Sequence, residues 1–210
     1  MGHREDLLEG AKRCLLEKGW TRTTARDIVA ASGANLASIG YHYGSKEALM
    51  MEAFLQLTAE WADEAAPAIA SAADPGAPRE ERLAATLDGV IASFAKDREF
   101  WSAQLEVVGQ LVKNPELRSK FAAVQPGGRE GMVALFEGVD DSEVGPEATR
   151  TAGAFYYAVF VGLWMQWLID PAAAPTGREI VEGARRALAG TVLDAPEGAG
   201  TPDGADGAEG

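Results

Sequence analysis

The side chains best suited to recognition chemistry are crowded between residues 24 and 46: Thr24, Asn35, Ser38, Tyr41, His42 and Lys46. On a helix lying in a DNA groove, Asn35 or Ser38 could hydrogen-bond a base edge, while Leu36 and Ala37 could touch only a thymine methyl. Tyr41 and His42 can donate to phosphate oxygens. Helix starts at Thr24 and Ser45 would present free N–H groups and a positive dipole end, and Lys46 adds a cation beside one of them. Each has a plainer role as well: Thr24 as a cap, Lys46 as a solvated charge, His42 as a packed ring.

The elements that must position these residues can be read from spacing. Leu7, Leu8, Ala11, Cys14 and Leu15 form one stripe of a helix over residues 4–18, and Gly19 stands where a left-handed cap belongs. Thr24 and Asp27 form a capping pair for a short helix that carries Ile28 and ends near Ser32, with Gly33 as its stop. After Gly33 and Ala34, Asn35 caps a third helix in which Leu36, Ile39 and Tyr43 fall at i, i+3 and i+7. Gly44 closes it, and Ser45 caps a fourth helix running to about Ala66, before Pro67. Two short helices joined by such a turn make a helix-turn-helix whose second helix lies in the major groove. If Ile39 and Tyr43 face the first helix, then Ala37, Ser38 and Tyr41 project outward, while Leu36 fits either face.

The chain has 210 residues, with 39 Ala against 29 Val, Ile and Thr together, which predicts an all-α fold. One cysteine, Cys14, allows no internal disulfide and no Cys/His zinc site, and the charged N-terminus lacks a secretory apolar run. The expected location is therefore cytoplasmic. Both histidines, His3 and His42, lie at the N-terminal end, and no phosphate loop or nucleophile motif occurs, so an enzyme, a metal and a cofactor are not expected. The net charge is −13, but residues 1–50 carry +1 and residues 51–210 carry −14. Only the first part can approach a phosphate backbone without strong repulsion.

Past Pro75 and Pro78, amphipathic helices are expected over 79–96, 99–113 and 115–124, with a break at Pro126, Gly127 and Gly128 before the pattern resumes to Phe136. Gly138–Gly145 reads as an acidic loop, and helices follow over 146–169 and from Arg178 to about Leu193. Thr151–Ile169 is uncharged and approaches a membrane span in length, but Tyr156, Tyr157 and Gln166 favour a buried or interface helix. Gly153, Ala158 and Gly162 would let it pair closely with a two-fold copy. Residues 195–210, rich in Gly, Ala and acids and free of aromatics, are expected to be a disordered acidic tail.

The stretch from Gly19 to Leu49 resembles the DNA-binding part of the tetracycline-repressor (TetR) family, through Gly19 and the aromatic after it, Thr24, Asp27, Ile28, Gly33, "YHY" at 41–43 and "GSKEAL" at 44–49. The resemblance implies a homodimer with a helix-turn-helix domain over 1–48 and an effector-binding and dimerisation domain over 49–194. It also implies a palindromic double-stranded DNA operator and phosphate contacts at Thr24, Tyr41, His42 and Lys46. Leu36, Ala37 and Ser38 fall at its base-reading positions. Beyond residue 50, 13 aromatics are available to an apolar pocket or a core. Trp101, Gln104, Phe160, Trp164 and Trp167 are the expected effector site, with Glu106 and Gln166 as further polar hints. The clustered aromatics and the scarcity of cations there argue for a small, largely apolar and aromatic effector, neutral or cationic. A regulator without an effector is the alternative.

Overall fold

The computed structural model describes residues 3–190, and over them the protein is all-α. The expected tail at 195–210 lies outside the described residues. Helix α1 (His3–Lys18), α2 (Ala25–Ser32) and α3 (Leu36–Tyr43) form a head with the start of α4 (Lys46–Ala72). The body adds α5 (Arg79–Lys96), α6 (Arg98–Lys113), α7 (Pro115–Glu137), α8 (Pro146–Arg150), α9 (Ala152–Ile169) and α10 (Gly177–Leu188).

Side-chain caps fix the starts of the head helices. Thr24 accepts from the Asp27 N–H in a reciprocal capping box, Asn35 from Ser38 and Ser45 from Ala48. The apolar stripe of α1 then meets Ile28, Ile39, Leu49 and Met50, with Leu7, Leu15 and Ile28 wholly removed from water. Cys14 is buried in the same stripe, and burial pushes its thiol pKa up. Lys12 of α1 is also buried, and its ammonium is held by Glu60 of α4 at 2.5 Å and Glu9 at 3.0 Å.

Two expected breaks are absent, and one unexpected break is present. Helix α4 runs through Pro67 to Ala72, and α7 runs unbroken through Pro126, Gly127 and Gly128. Both prolines are exposed, so the carbonyl each leaves without a partner can turn to water, and packing of the apolar face carries the helix past. Conversely, the expected helix over 146–169 is divided at Thr151 into α8 and α9. That stretch is long and apolar enough to cross a membrane, yet Phe160, Leu163, Trp164 and Trp167 face the interior of the body.

The body core is built from rings. Phe94 of α5, Phe100 and Trp101 of α6, Trp61 of α4 and Phe160, Trp164 and Trp167 of α9 form one cluster. Trp101 is at its centre, with ring centroids 4.9 Å from Trp61, 5.0 Å from Phe94 and 5.5 Å from Phe160. Where α9 passes α7 only glycine fits: a Cβ on Gly153 would stand 2.7 Å from the carbonyl oxygen of Arg129. Gly153 thus serves packing inside the chain rather than a two-fold contact. Ala158, by contrast, is exposed, and a Cβ at Gly162 would meet open space.

Candidate nucleic-acid interface and effector core

Helix α3 is gripped by α1, α2 and α4. Its covered arc therefore reaches beyond the Ile39 and Tyr43 line and takes in Ser38, which is only 9% exposed. This corrects the expectation that Ser38 projects outward: three packing partners cover a wider face of a short helix than one would. The uncovered face carries Leu36 at 54% exposure and Tyr41 at 85%, together with Ala37 and Gly40. Asn35 is exposed, but its carboxamide oxygen accepts from the Ser38 N–H at 3.0 Å, leaving the amide –NH2 free of that cap.

The other expected contacts already have internal work. The Thr24 hydroxyl accepts from the Asp27 N–H and donates to its carboxylate at 2.6 Å. Lys18 bonds the same carboxylate at 2.6 Å and, with Thr24, holds its pKa well below the usual carboxylate range. The Lys46 ammonium donates to the Thr23 carbonyl at 3.0 Å and stands 3.5 Å from Glu47, so a phosphate would share or displace these partners. His42 is half-buried and meets Tyr41 edge to face at 4.8 Å. Tyr43 anchors α3 to α1 by donating to the Arg4 carbonyl at 2.7 Å.

Of the five expected effector residues, Trp101, Phe160, Trp164 and Trp167 converge in the ring cluster, all at or below 7% exposure. Gln104 is half-buried one turn along α6. The rings pack on one another, and the two indole N–H groups at the centre differ. That of Trp101 donates to the Ser93 carbonyl at 3.2 Å, whereas that of Trp164 is buried without a partner. Glu106 and Gln166 stand apart from the cluster. Gln166 is exposed and bonds the Gly162 carbonyl. Glu106 crosses from α6 to the head, accepting from the Thr21 N–H at 2.7 Å. Gly19 (φ 77°) lies under that carboxylate, where a Cβ would collide with it. The head–body bond escaped sequence reading because 85 residues separate its partners.

A family profile described as "BetI-type transcriptional repressor, C-terminal" matches residues 78–193, and one described as "Bacterial regulatory proteins, tetR family" matches residues 7–53. The chain belongs to the TetR family. Its members are transcriptional regulators, not enzymes. A curated relative, the HTH-type transcriptional repressor AcnR of Corynebacterium efficiens, is 33% identical over 119 residues, covering 56% of this chain and 55% of the relative. The chain thus matches about half the length of that relative. Among solved TetR-like folds, a transcriptional regulator from Pseudomonas aeruginosa PAO1 superposes with a TM-score of 0.61 at 21% identity, covering 88% of this chain and 89% of that one. The multidrug binding protein EbrR, complexed with proflavin, superposes with a TM-score of 0.59 at 24% identity, covering 89% and 99%.

Proposed function

We propose that this chain is a cytoplasmic, homodimeric transcriptional repressor that binds a palindromic operator through α3 and is released by a small apolar effector, neutral or cationic. In this reading residues 1–48 are the DNA-binding head and residues 49–194 the effector-binding and dimerising body. The observation that carries it is the uncovered face of α3, with Leu36, Ala37 and Tyr41 open to solvent on a helix gripped from behind by three others. Base contact then falls to Asn35, Leu36 and Ala37, and Ser38 supports the helix rather than reading. Tyr41 on that face, together with Thr24, His42 and Lys46, supplies the phosphate contacts.

The dimer reading is supported by α9 and α10, which leave Phe155 at 58%, Ile169 at 77% and Leu188 at 43% exposure, with Ile180 and Val181 only partly covered. Such a surface is a liability on a monomer. The effector reading is supported by the unpartnered Trp164 N–H, which a ligand bearing one acceptor could satisfy at the aromatic centre. Helix α6 holds Trp101 in that centre and Glu106 against the head, so rings parted by a ligand would shift the head contact. Only the ligand's differential affinity for the two arrangements sets the response.

The test is footprinting on the DNA upstream of the chain's own coding sequence, followed by addition of proflavin. Protection of a two-fold site and its loss with proflavin are expected. A Trp164→Phe variant, which keeps a ring and removes the N–H, should weaken release while leaving operator affinity intact. Absence of protection would refute the DNA reading, and protection that no aromatic compound reverses would favour a regulator without an effector.

A further inference from the structure

A groove of 420 Å3 opens between α7 and the connection into α8, far enough along the chain that no residue of the ring cluster lines it. Pro126, Arg129 and Glu130 of α7 form one wall, and Val144, Pro146 and Arg150 form the other. Its volume falls in the range of small-molecule sites. Three observations give it a chemistry. The Arg129 Nε–H is buried and has no hydrogen-bond partner, a costly state for a guanidinium unless something supplies an acceptor. Its backbone is pinned by the close approach of Gly153, so the side chain starts from a fixed point. Arg150 lines the same groove and is exposed.

Two guanidinium groups and the Glu130 carboxylate leave one positive charge in a part of the chain that is otherwise strongly acidic. Pro126, Val144 and Pro146 make the remaining lining mostly apolar. We propose that this groove binds a small organic monoanion, a carboxylate with an apolar body. The carboxylate pairs with the exposed Arg150 guanidinium, the Arg129 side chain turns about its pinned backbone to bring its buried, unpartnered Nε–H to the same oxygens, and the body lies on the two prolines and Val144. A multiply charged anion is disfavoured by Glu130, and a cation by both arginines. Arginine suits the role because its planar fork pairs a carboxylate through parallel N–H donors. The site is independent of the proposed effector core, and it ties α7 to the segment that leads into α9.

Calorimetric titration of the full chain with octanoate tests this, with octanol, octylamine and inorganic phosphate as comparators. Octanoate should bind, and the alcohol and amine should bind at least about tenfold more weakly, the loss expected when a charge-assisted pair is missing. Arg150→Gln should cost a similar factor and Arg150→Lys less, because the charge is kept while the fork is lost. Arg150 is exposed, so its variants should keep the wild-type circular dichroism and decide the matter even if Arg129→Gln perturbs the fold. Proflavin-driven operator release should be unchanged in Arg150→Gln, which separates this site from the effector core. No octanoate binding at millimolar concentration, or wild-type affinity in Arg150→Gln, would overturn the proposal. Inorganic phosphate binding as tightly as octanoate would overturn the apolar body.

Discussion

In the head, the three helices after α1 each begin on a side chain bonded to the backbone just ahead: Thr24, Asn35 and Ser45. In the body, α5, α6, α8 and α9 begin without one. The hold on α5, α6 and α9 comes from rings, Phe94, Trp101 and Phe160 meeting one another and Trp61 of α4. A head built on local bonds has helix ends fixed to the residue, which suits a surface that must match DNA. The body keeps such fixed points at the starts of α7 and α10, on Asn114 and Thr176, while the rings between its other helices can part and re-form around a guest with little loss of hydrogen bonding.

That contrast can be broken most forcefully at Trp101. Trp101→Ala removes the centre of the ring cluster and should cost about 3–5 kcal/mol, measured by denaturant unfolding. A loss no larger than that of a head cap would mean the rings are not what holds the body. Next in size is Gly19→Ala, which puts a side chain at positive φ for about 1–2 kcal/mol and drives its methyl toward Glu106. The double variant with Glu106→Ala should recover the collision but not the backbone strain.

Thr24→Ala should cost about 1 kcal/mol and act on the head alone, which amide hydrogen exchange in α2 can resolve. Its partner Asp27 supplies a pH signature. The folded carboxyl titrates below its unfolded value, so its contribution is full above about pH 4 and is lost as the pH falls through the folded pKa. The stability gap between the wild type and Asp27→Asn should therefore close on acidification. A gap independent of pH would mean that Lys18 and Thr24 do not hold the charge in solution. The smallest stability effect is expected from Glu106→Gln, which should leave operator affinity within about twofold, since exposed contacts of this kind contribute little. It should nevertheless reduce proflavin-driven release, read as the ratio of operator Kd with and without the compound. Unchanged release would show that α6 does not connect the two regions.

The same division explains what could be read from the amino acids. Thr24 with Asp27, Asn35 and Ser45 were legible because each acts on a backbone N–H within three residues, and Gly33 and Gly44 because a helix stop is equally local. Ser38 was misplaced because its burial depends on where α1, α2 and α4 lie, not on its own helix. The continuation through Pro67 and Pro126 was hidden for the same reason, the outcome resting on packing across helices. In the body, the aromatic residues could be named, but not that Trp101 would find Ser93 while Trp164 found nothing. Arg129 carried no motif at all, since the isolation of its Nε–H arises only when the helices pack.

Cys14, the single thiol of the chain, is sealed in the stripe of α1 that supports α3. The protein therefore carries a built-in clock for its own head. A thiol reagent can reach that sulfur only while α1 is lifted away, so the labelling rate at Cys14 counts openings of the DNA-reading unit without any introduced probe. Operator should slow it. A compound that acts by loosening the head should quicken it, and one that merely turns two intact heads apart should leave it unchanged, so one residue distinguishes two kinds of switch.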